Sequence, residues 1–306
     1  MTRSPPTVKL PDKYYEGFNI SKEIIPNDIG KFRSLLEGKN CGIFNDLKVI
    51  KRIGSDSVHA TVWEIMLRSL NIKFAMKVQK DTQKSEHEVI INKILEEWPN
   101  YFLIMYSNIY CDNISFPGIR GPISGTFMFM EMAIGDLSQL LKLTHVSEID
   151  LISHINDVLN SLEIMGLLQF YHGDLHLGNI FLVVREGSQK MVIGDFGETQ
   201  MPKDEPLITG YLTDFSKLLG SLLSVLNPQD YSYSFINNLR LVLKGCNKLI
   251  AVTENRYDNW IREHTTVIET EEGEVSITDW ADVDPFLEIM VKENIQYLRE
   301  AILEQA

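Results

Sequence analysis

Residues 171–181 read Tyr171-His172-Gly173-Asp174-Leu175-His176-Leu177-Gly178-Asn179-Ile180-Phe181, a polar stretch that ends in an apolar run. A second acidic stretch, Ile193-Gly194-Asp195-Phe196-Gly197, follows shortly after it. Two apolar runs and a glycine-containing polar turn lie between the stretches, and this pattern predicts two strands of a hairpin. A hairpin returns the chain to its start, so we expect Asp174, Asn179 and Asp195 to converge.

These three side chains carry oxygen atoms that suit a magnesium ion. Mg²⁺ binds carboxylate, amide and phosphate oxygens. Asn179 and Asp195 are therefore candidate metal ligands, and Asp174 is the nearby carboxylate that can act as a base. The arrangement predicts the metal and base half of a phosphoryl-transfer site.

The two stretches resemble the catalytic loop and the metal loop of the protein-kinase-like superfamily. That family reads His-Arg-Asp, four residues, Asn, and later Asp-Phe-Gly. Here His172, Asp174, Asn179 and residues 195–197 fit the pattern, and the spacing from the Asp to the Asn is intact. The alternative, a chance loop of polar residues, does not explain six matches in two ordered motifs.

Two positions depart from the pattern of the regulated protein kinases. Gly173 stands where they carry Arg, and His176 stands where Lys is common. The string His-Gly-Asp-Leu-His-x-Gly-Asn looks more like the divergent branches: haspin-like and lipopolysaccharide-core kinases, aminoglycoside and choline phosphotransferases, and some viral or bacterial-effector kinases. An Arg at position 173 would pair with a phosphorylated loop residue, so its absence predicts an enzyme that is active without loop phosphorylation.

The resemblance implies an α+β, bilobal protein-kinase-like fold. It has a small β-rich N-lobe with one main helix and a larger helical C-lobe. The implied domains are an N-terminal extension at 1–40, the N-lobe at 41–132, and the C-lobe at 133–306 with divergent helices at its end. The resemblance is specific from about Leu47 to Leu226.

Hydrophobic periodicity gives a coarse secondary structure. Alternating apolar residues predict a strand at 48–53, and further apolar segments predict strands at 60–67, 72–79, 101–111 and 125–130. Helical spacing predicts helices at 85–98, 148–170, 211–226, 235–243, 255–263 and from 284 onward, with a weaker one at 29–36. The acidic residues 269–274 predict a solvated loop.

Lys77 follows Phe74-Ala75-Met76, and this run resembles the kinase strand that carries a phosphate-binding lysine. A Lys in an apolar strand is costly to bury unless it is paired. The resemblance makes Lys77 a catalytic residue that holds the α and β phosphates of ATP and pairs with a glutamate. Glu88 is the first candidate partner and Glu86 the second, since Asn92 stands where active kinases place an apolar residue. The alternative is a Lys on the solvated face of an edge strand.

The resemblance also implies the remaining contacts to ATP. Only one glycine, Gly54, survives from the usual loop over the phosphates. The other implied positions surround the adenine and the ribose. They are Val62 and Ala75 above the adenine, Met130 at its border, the backbone of Glu131 and Ala133 at its edge, Phe181 beneath it, and Asp136 at the ribose.

The implied reaction moves the γ-phosphoryl group of ATP to a hydroxyl. Asp174 would accept the hydroxyl proton, Asn179 and Asp195 would hold Mg²⁺, and His176 would donate a hydrogen bond to the γ-phosphate. A Ser/Thr protein substrate is the first hypothesis, and a small-molecule acceptor such as an aminoalcohol or a sugar is the second. The third is a pseudokinase scaffold that binds nucleotide, which the eroded glycine loop favours. Asp214 resembles the acid that anchors the catalytic loop.

Composition excludes some classes of function and leaves others open. The net charge of −13 and the lack of a basic block argue against nucleic-acid binding. No apolar run approaches the ~20 residues of a membrane span. Three distant cysteines predict isolated thiols and no disulfide, hence a reducing, cytoplasmic location, with a nuclear or virion location left open. The oligomeric state is left open as well.

Overall fold

The chain forms two compact units in the computed structural model. One unit comprises Met1–Thr144 and Gly178–Glu198, and the other comprises His145–Leu177 and Thr199–Ala306. The structure describes residues 36, 40–53, 60–69, 71–116, 121–185, 188–202, 207–270, 273–279 and 282–303.

A five-stranded antiparallel sheet dominates the first unit. Its strands are β1 (Leu47–Ile53), β2 (Ala60–Leu67), β3 (Ile72–Gln79), β4 (Met105–Ile114) and β5 (Ile123–Met130). They lie in the order β1-β2-β3-β5-β4, which places β3 in the middle. Helix α1 (Thr82–Leu95) follows β3, and the side chain of Asp81 caps its first turn by accepting from the N–H of Lys84 at 3.2 Å.

Shorter elements complete the first unit. They are a 3₁₀ helix (Cys41–Asn45), β6 (Gly135–Asp136), α2 (Leu137–Leu143), β7 (Ile180–Arg185) and β8 (Ser188–Ile193). Strands β6, β7 and β8 form a second sheet in that order, and a 3₁₀ turn (Leu177–Asn179) precedes β7. The main chain of residues 101–103 bonds to Ile193, with Leu103 donating to its carbonyl at 2.8 Å.

The second unit is mostly helical. It contains α3 (Glu148–Leu167), α4 (Gly210–Val225), α5 (Tyr233–His264), α6 (Val283–Leu303), and the hairpin of β9 (Thr265–Thr270) and β10 (Gly273–Thr278). Helix α4 packs against α5, and α3 packs against α6. Ser147 and Ser232 cap α3 and α5 with their hydroxyl groups.

The predicted mixed α+β class is confirmed, with an antiparallel sheet toward the N-terminus and helices toward the C-terminus. The boundary predicted between residues 132 and 133 falls within the first unit, which runs to Thr144 and takes in 178–198.

Two predictions for the C-terminal part were wrong. The helices predicted at 235–243 and 255–263 are one continuous helix, α5. Its buried residues Val242, Cys246 and Thr253 keep helical spacing through the gap between the two predictions. Where a loop was predicted at 269–274, residues 269–270 and 273–274 lie instead in β9 and β10, whose strands are rich in Thr, Val and Ile, and 271–272 lie outside the described residues. Branched residues of this kind favour strands.

The prediction of isolated cysteines was wrong for two of the three. The 3₁₀ helix at Cys41 packs beside β4, and Cys41 and Cys111 form a disulfide across 70 residues of sequence. Cys246 is the free, buried thiol that was expected, and burial raises its pKa to about 12. Cysteine usage therefore no longer supports a reducing compartment.

Some predictions concern residues that the structure does not describe. The N-terminal extension up to residue 35 and the phosphate-loop residue Gly54 lie outside the described residues. Within the described ranges, no helix has both the length and the apolar character that crossing a bilayer requires.

Candidate functional site

Three charged side chains meet beside the central strand of the first unit. The Nζ atom of Lys77 lies 2.7 Å and 2.8 Å from the two carboxylate oxygens of Glu88. The same Nζ lies 2.6 Å from Oδ1 of Asp195. Lys77 is 7% exposed and Glu88 is fully buried, so the lysine is not the solvated surface residue of the alternative interpretation.

Local contacts on α1 explain why Glu88 reaches the lysine. Asn92 is buried and donates from Nδ2 to the carbonyl of Glu88 at 2.8 Å, so this polar residue has a partner on its own helix. The Ser85 and Thr126 hydroxyls lie 2.8 Å apart and tie the start of α1 to β5. Glu86, the second candidate partner, lies on the exposed face of the helix.

The cluster contains two carboxyl groups and one ammonium group. Burial lowers the pKa of Lys77, but the carboxylates of Glu88 and Asp195 outweigh burial and hold that pKa well above its ordinary value. Burial raises the pKa of Glu88, against the opposing effect of Lys77. One ammonium group thus faces two carboxyl groups, and this imbalance favours the approach of a further cation.

The two candidate metal ligands flank the β7–β8 hairpin. Asn179 precedes β7, Asp195 follows β8, and Ile180 pairs with Ile193 between them. The N–H of Gly194 donates to the carbonyl of Asn179 at 3.0 Å, which closes the open end of the hairpin. The hairpin therefore brings the backbone of Asn179 next to that of Gly194 and Asp195, and the predicted convergence of both residues with Asp174 stays a prediction. Among the described residues no group of three or more His, Cys, Asp and Glu side chains forms a metal cluster.

The backbone of Asp195 adopts a conformation that is uncommon for a residue other than glycine. Its φ of 64° lies in the left-handed region, which non-glycine residues occupy only when the surroundings fix them. Its carboxylate is 49% exposed, so it can reach both Lys77 and solvent. Residues held this way cluster at functional sites.

The predicted adenine-contact residues lie together in the first unit. Ala75 and Met130 are paired neighbours on β3 and β5, and both belong to one apolar cluster. Val62, which pairs with Lys77 on the adjacent strand, and Phe181 of β7 pack against that cluster and remain partly exposed. Met132 and Ala133 pack against it too. The result is a partly exposed apolar surface next to a buried lysine.

The backbone after β5 is fixed at both ends. The N–H of Glu131 donates to the carbonyl of Ile104 at 2.8 Å, and the N–H of Ile134 donates to the carbonyl of Leu182 at 2.8 Å. Ala133 lies between these anchors. Asp136 caps α2 by accepting from the N–H of Gln139 at 2.8 Å, a structural role that the sequence prediction did not include.

Sequence reasoning missed a buried ion pair in this segment. Arg185, at the end of β7, donates from Nε to Oε1 of Glu131 at 2.9 Å and from Nη2 to the carbonyl of Phe102 at 2.9 Å. Its guanidinium also bonds to Oε2 of Glu131 and to the carbonyl of Pro99. Glu131 is 1% exposed and Arg185 is 6% exposed. The available signal was an arginine at the end of a strongly apolar strand, which is costly to bury without a partner.

Residues 172–176, which were predicted to form the first part of a catalytic loop, belong to the second unit, where α4 anchors residues 172 and 173. Asp214 accepts from the N–H of His172 at 2.8 Å and from the N–H of Gly173 at 3.3 Å, as the resemblance implied. Burial raises the pKa of the Asp214 carboxyl to about 7, although these two hydrogen bonds oppose the rise. Oδ2 of Asp174 lies 3.7 Å from Nε2 of His176, and both side chains are about half exposed or more.

Comparisons with known proteins add no family to this description. The chain matches no protein-family model, and no curated protein sequence is detectably similar to it.

Proposed function

We propose that this protein is an ATP- and Mg²⁺-dependent phosphotransferase with a bilobal protein-kinase-like fold. The observation that carries the proposal is Lys77, buried on a central strand and bonded to both Glu88 and Asp195. A buried ammonium group between a helix glutamate and a loop aspartate suits the binding of ATP phosphates. The partly exposed apolar surface around Ala75 and Phe181 suits the adenine ring.

The donor set fits magnesium. Asn179 and Asp195 offer amide and carboxylate oxygens from the two ends of one hairpin, and Mg²⁺ prefers such ligands together with phosphate oxygens and water. The excess negative charge beside Lys77 favours the ion as well. Mg²⁺ bound here would neutralise charge on the phosphates of ATP.

Asp174 is the proposed base. It would orient the acceptor hydroxyl and take its proton as the hydroxyl oxygen bonds to the γ-phosphorus. The bond from the γ-phosphorus to the β–γ bridging oxygen breaks, and ADP leaves with that oxygen. Lys77 would hold the α and β phosphates, and His176 would donate a hydrogen bond to the γ-phosphate. Positioning and electrostatic stabilisation supply most of the rate in this chemistry.

A Ser or Thr hydroxyl of a protein is the proposed acceptor. The Asp-Phe-Gly motif at 195–197 and the order of the sheet and helix elements support this choice. The His-Gly-Asp-Leu-His string supports a small-molecule acceptor as the second candidate. We propose no nucleic-acid partner. We also propose no cytoplasmic location, because that prediction depended on free cysteines and Cys41 and Cys111 form a disulfide.

Labelled ATP tests the proposal. The purified chain is incubated with Mg²⁺ and γ-labelled ATP in the presence of basic, acidic and casein-like proteins, and in parallel with aminoalcohols and sugars. Label in protein supports the Ser/Thr kinase, and label in a small molecule selects the second candidate. Tight ATP binding without transfer to any acceptor would overturn the phosphotransferase and favour a nucleotide-binding scaffold.

A further inference from the structure

Lys217 of α4 lies against the segment that leads to the proposed base. Its Nζ atom donates to the phenol oxygen of Tyr171 at 2.6 Å and contacts the carbonyl of Gly173 at 3.4 Å. The ammonium group also lies 5.2 Å from the centroid of the Tyr171 ring. Lys217 is an exposed residue, yet these contacts fix its charged end beside residue 173.

Tyr171 is itself held firmly. Its N–H and carbonyl bond to Gln200 at 3.0 Å and 2.7 Å. Gly210, at the start of α4, packs so closely that a Cβ there would lie 2.8 Å from Cβ of Tyr171. Positions 210 and 217 are seven residues apart and share one face of the helix. Tyr171 therefore contacts α4 at both positions and provides a fixed anchor for the lysine.

Asp214 and Lys217 act on residue 173 from the same helix. They are three residues apart, so their side chains lie on one face. Asp214 accepts the N–H of Gly173, and Lys217 contacts its carbonyl. Gly173 has a φ of 81°, in the left-handed region, and has no side chain of its own to hold this conformation. Both of its backbone polar groups thus contact charged side chains of α4.

We propose that Lys217 is a positioning residue that holds the carbonyl of Gly173 and thereby fixes the backbone from which Asp174 presents its carboxylate. This inference rests on the proposed phosphotransferase function. The regulated protein kinases, from whose pattern this sequence departs here, carry an arginine at the position of Gly173. In this chain a cation reaches the same backbone from the neighbouring helix.

Lys217 stays protonated at neutral pH. The hydrogen bond to Tyr171 raises the pKa of Lys217 against the opposing effect of burial, and the carboxylates of Asp214 and Asp174 raise it further. His176 is the other titratable group beside Asp174. A neutral replacement at 217 therefore removes both a hydrogen-bond donor and a positive charge.

Kinetics and hydrogen exchange on the full chain test the inference. Lys217→Met should lower kcat roughly ten- to a hundredfold, because small misplacements of a catalytic group have effects of that size. KM for ATP should stay within about twofold, as expected when an interaction matters for the chemical step and not for ground-state binding. Lys217→Arg should restore most of kcat. The matched control is Lys244→Met, at an exposed lysine of α5.

Amide hydrogen exchange of residues 172–175 gives a readout that needs no turnover. It should rise at least about fivefold in Lys217→Met and stay unchanged in Lys244→Met, since lost contacts lower local stability. Unchanged exchange, or unchanged kcat in an active protein, would overturn the inference. The inference would also be overturned if Lys217→Met lost kcat only in proportion to a lower Tm and Lys217→Arg did not restore kcat. Wild-type protein that transfers no phosphate overturns the proposed function and, with it, the effect of Lys217 on turnover. The exchange result would still decide whether the lysine holds the loop.

Discussion

The ammonium group of Lys77 donates to both carboxylate oxygens of Glu88, at 2.7 Å and 2.8 Å, in a site where the glutamate is completely buried. This pairing decides between the two glutamates that the sequence left open. It also makes the pair part of the fold, since a buried charge is stable only when paired. Its stability and its proposed catalytic role can be separated by experiment.

Lys77→Met should be both unstable and inactive. The substitution leaves Glu88 buried without its cation, and breaking a buried pair costs about 3–5 kcal/mol. The double variant Lys77→Met/Glu88→Leu should recover much of the unfolding free energy but none of the turnover. Urea denaturation and kcat measure the two effects. Lys48→Met, at an exposed strand position, is the control. Turnover in the double variant equal to wild type would make Lys77 purely structural.

The Arg185–Glu131 pair should matter for stability in the same way. Arg185→Met would leave the buried Glu131 carboxylate without its cation and would remove the guanidinium donors to the carbonyls of Pro99 and Phe102. We expect a loss of about 3–5 kcal/mol in unfolding free energy, and a smaller loss in the double variant Arg185→Met/Glu131→Met. Arg240→Met, at an exposed residue of α5, should change stability by no more than about 0.5 kcal/mol. Equal stability of Arg185→Met and wild type would show that the pair contributes nothing.

Asp214 should make stability depend on pH. Its pKa rises from 3.8 to about 7 on folding, so between these values the folded state binds more protons than the unfolded state. Its contribution to stability is complete below pH 3.8 and is lost as pH rises through about 7, by up to about 4 kcal/mol. The difference in unfolding free energy between wild type and Asp214→Asn, measured from pH 4 to pH 8, should show this slope.

The control for that titration is Asp258→Asn, which removes an exposed carboxylate of α5. It should leave the pH dependence of wild type unchanged. A wild-type profile parallel to that of Asp214→Asn would mean that Asp214 titrates at an ordinary pKa in the folded protein.

Loop phosphorylation should not be needed for activity. Gly173 cannot pair with a phosphate, and Thr199 is 2% exposed, too buried for ready modification. Lys84 of α1 already bonds to Glu198, directly after the Asp-Phe-Gly motif, at 2.6 Å. Phosphatase-treated protein and the Thr199→Ala/Thr209→Ala variant should therefore keep kcat within about twofold of wild type. A large loss of kcat on dephosphorylation, reversed by rephosphorylation, would assign the missing arginine's role to another basic residue.

The sequence predicted what depends on local pattern. Short apolar runs located β3 and the β7–β8 hairpin, and the hairpin in turn placed Asn179 next to Asp195. The choice of Glu88 needed the structure because Asn92 looked unsuitable until its bond to the Glu88 carbonyl was visible. The sequence showed that Asn92 is polar, but it could not show that Asn92 bonds to the carbonyl of Glu88.

The missed features depend on contacts between distant residues or on a strong local bias. Cys41 and Cys111 are 70 residues apart, and Arg185 is 54 residues from Glu131, so neither pairing has a local signal. Residues 244–254 belonged to neither predicted helix, yet they continue α5 without a break, and Gly245 lies close to the Tyr297 hydroxyl of α6. The acidic residues near 270 led to the prediction of a loop, although branched residues that favour strands lie on both sides of them.

Transfer of label from γ-labelled ATP in the Asp174→Asn and Asp195→Asn variants tests whether the protein is a phosphotransferase that uses these two carboxylates. Wild type should label an acceptor only with Mg²⁺ present. Asp174→Asn should lose at least about 10²-fold in kcat, the size expected for a base, and Asp195→Asn should abolish transfer because it removes a charged metal ligand, with Tm unchanged in both. Asp258→Asn should match wild type. Full label transfer by both variants, with folding intact, would contradict the account.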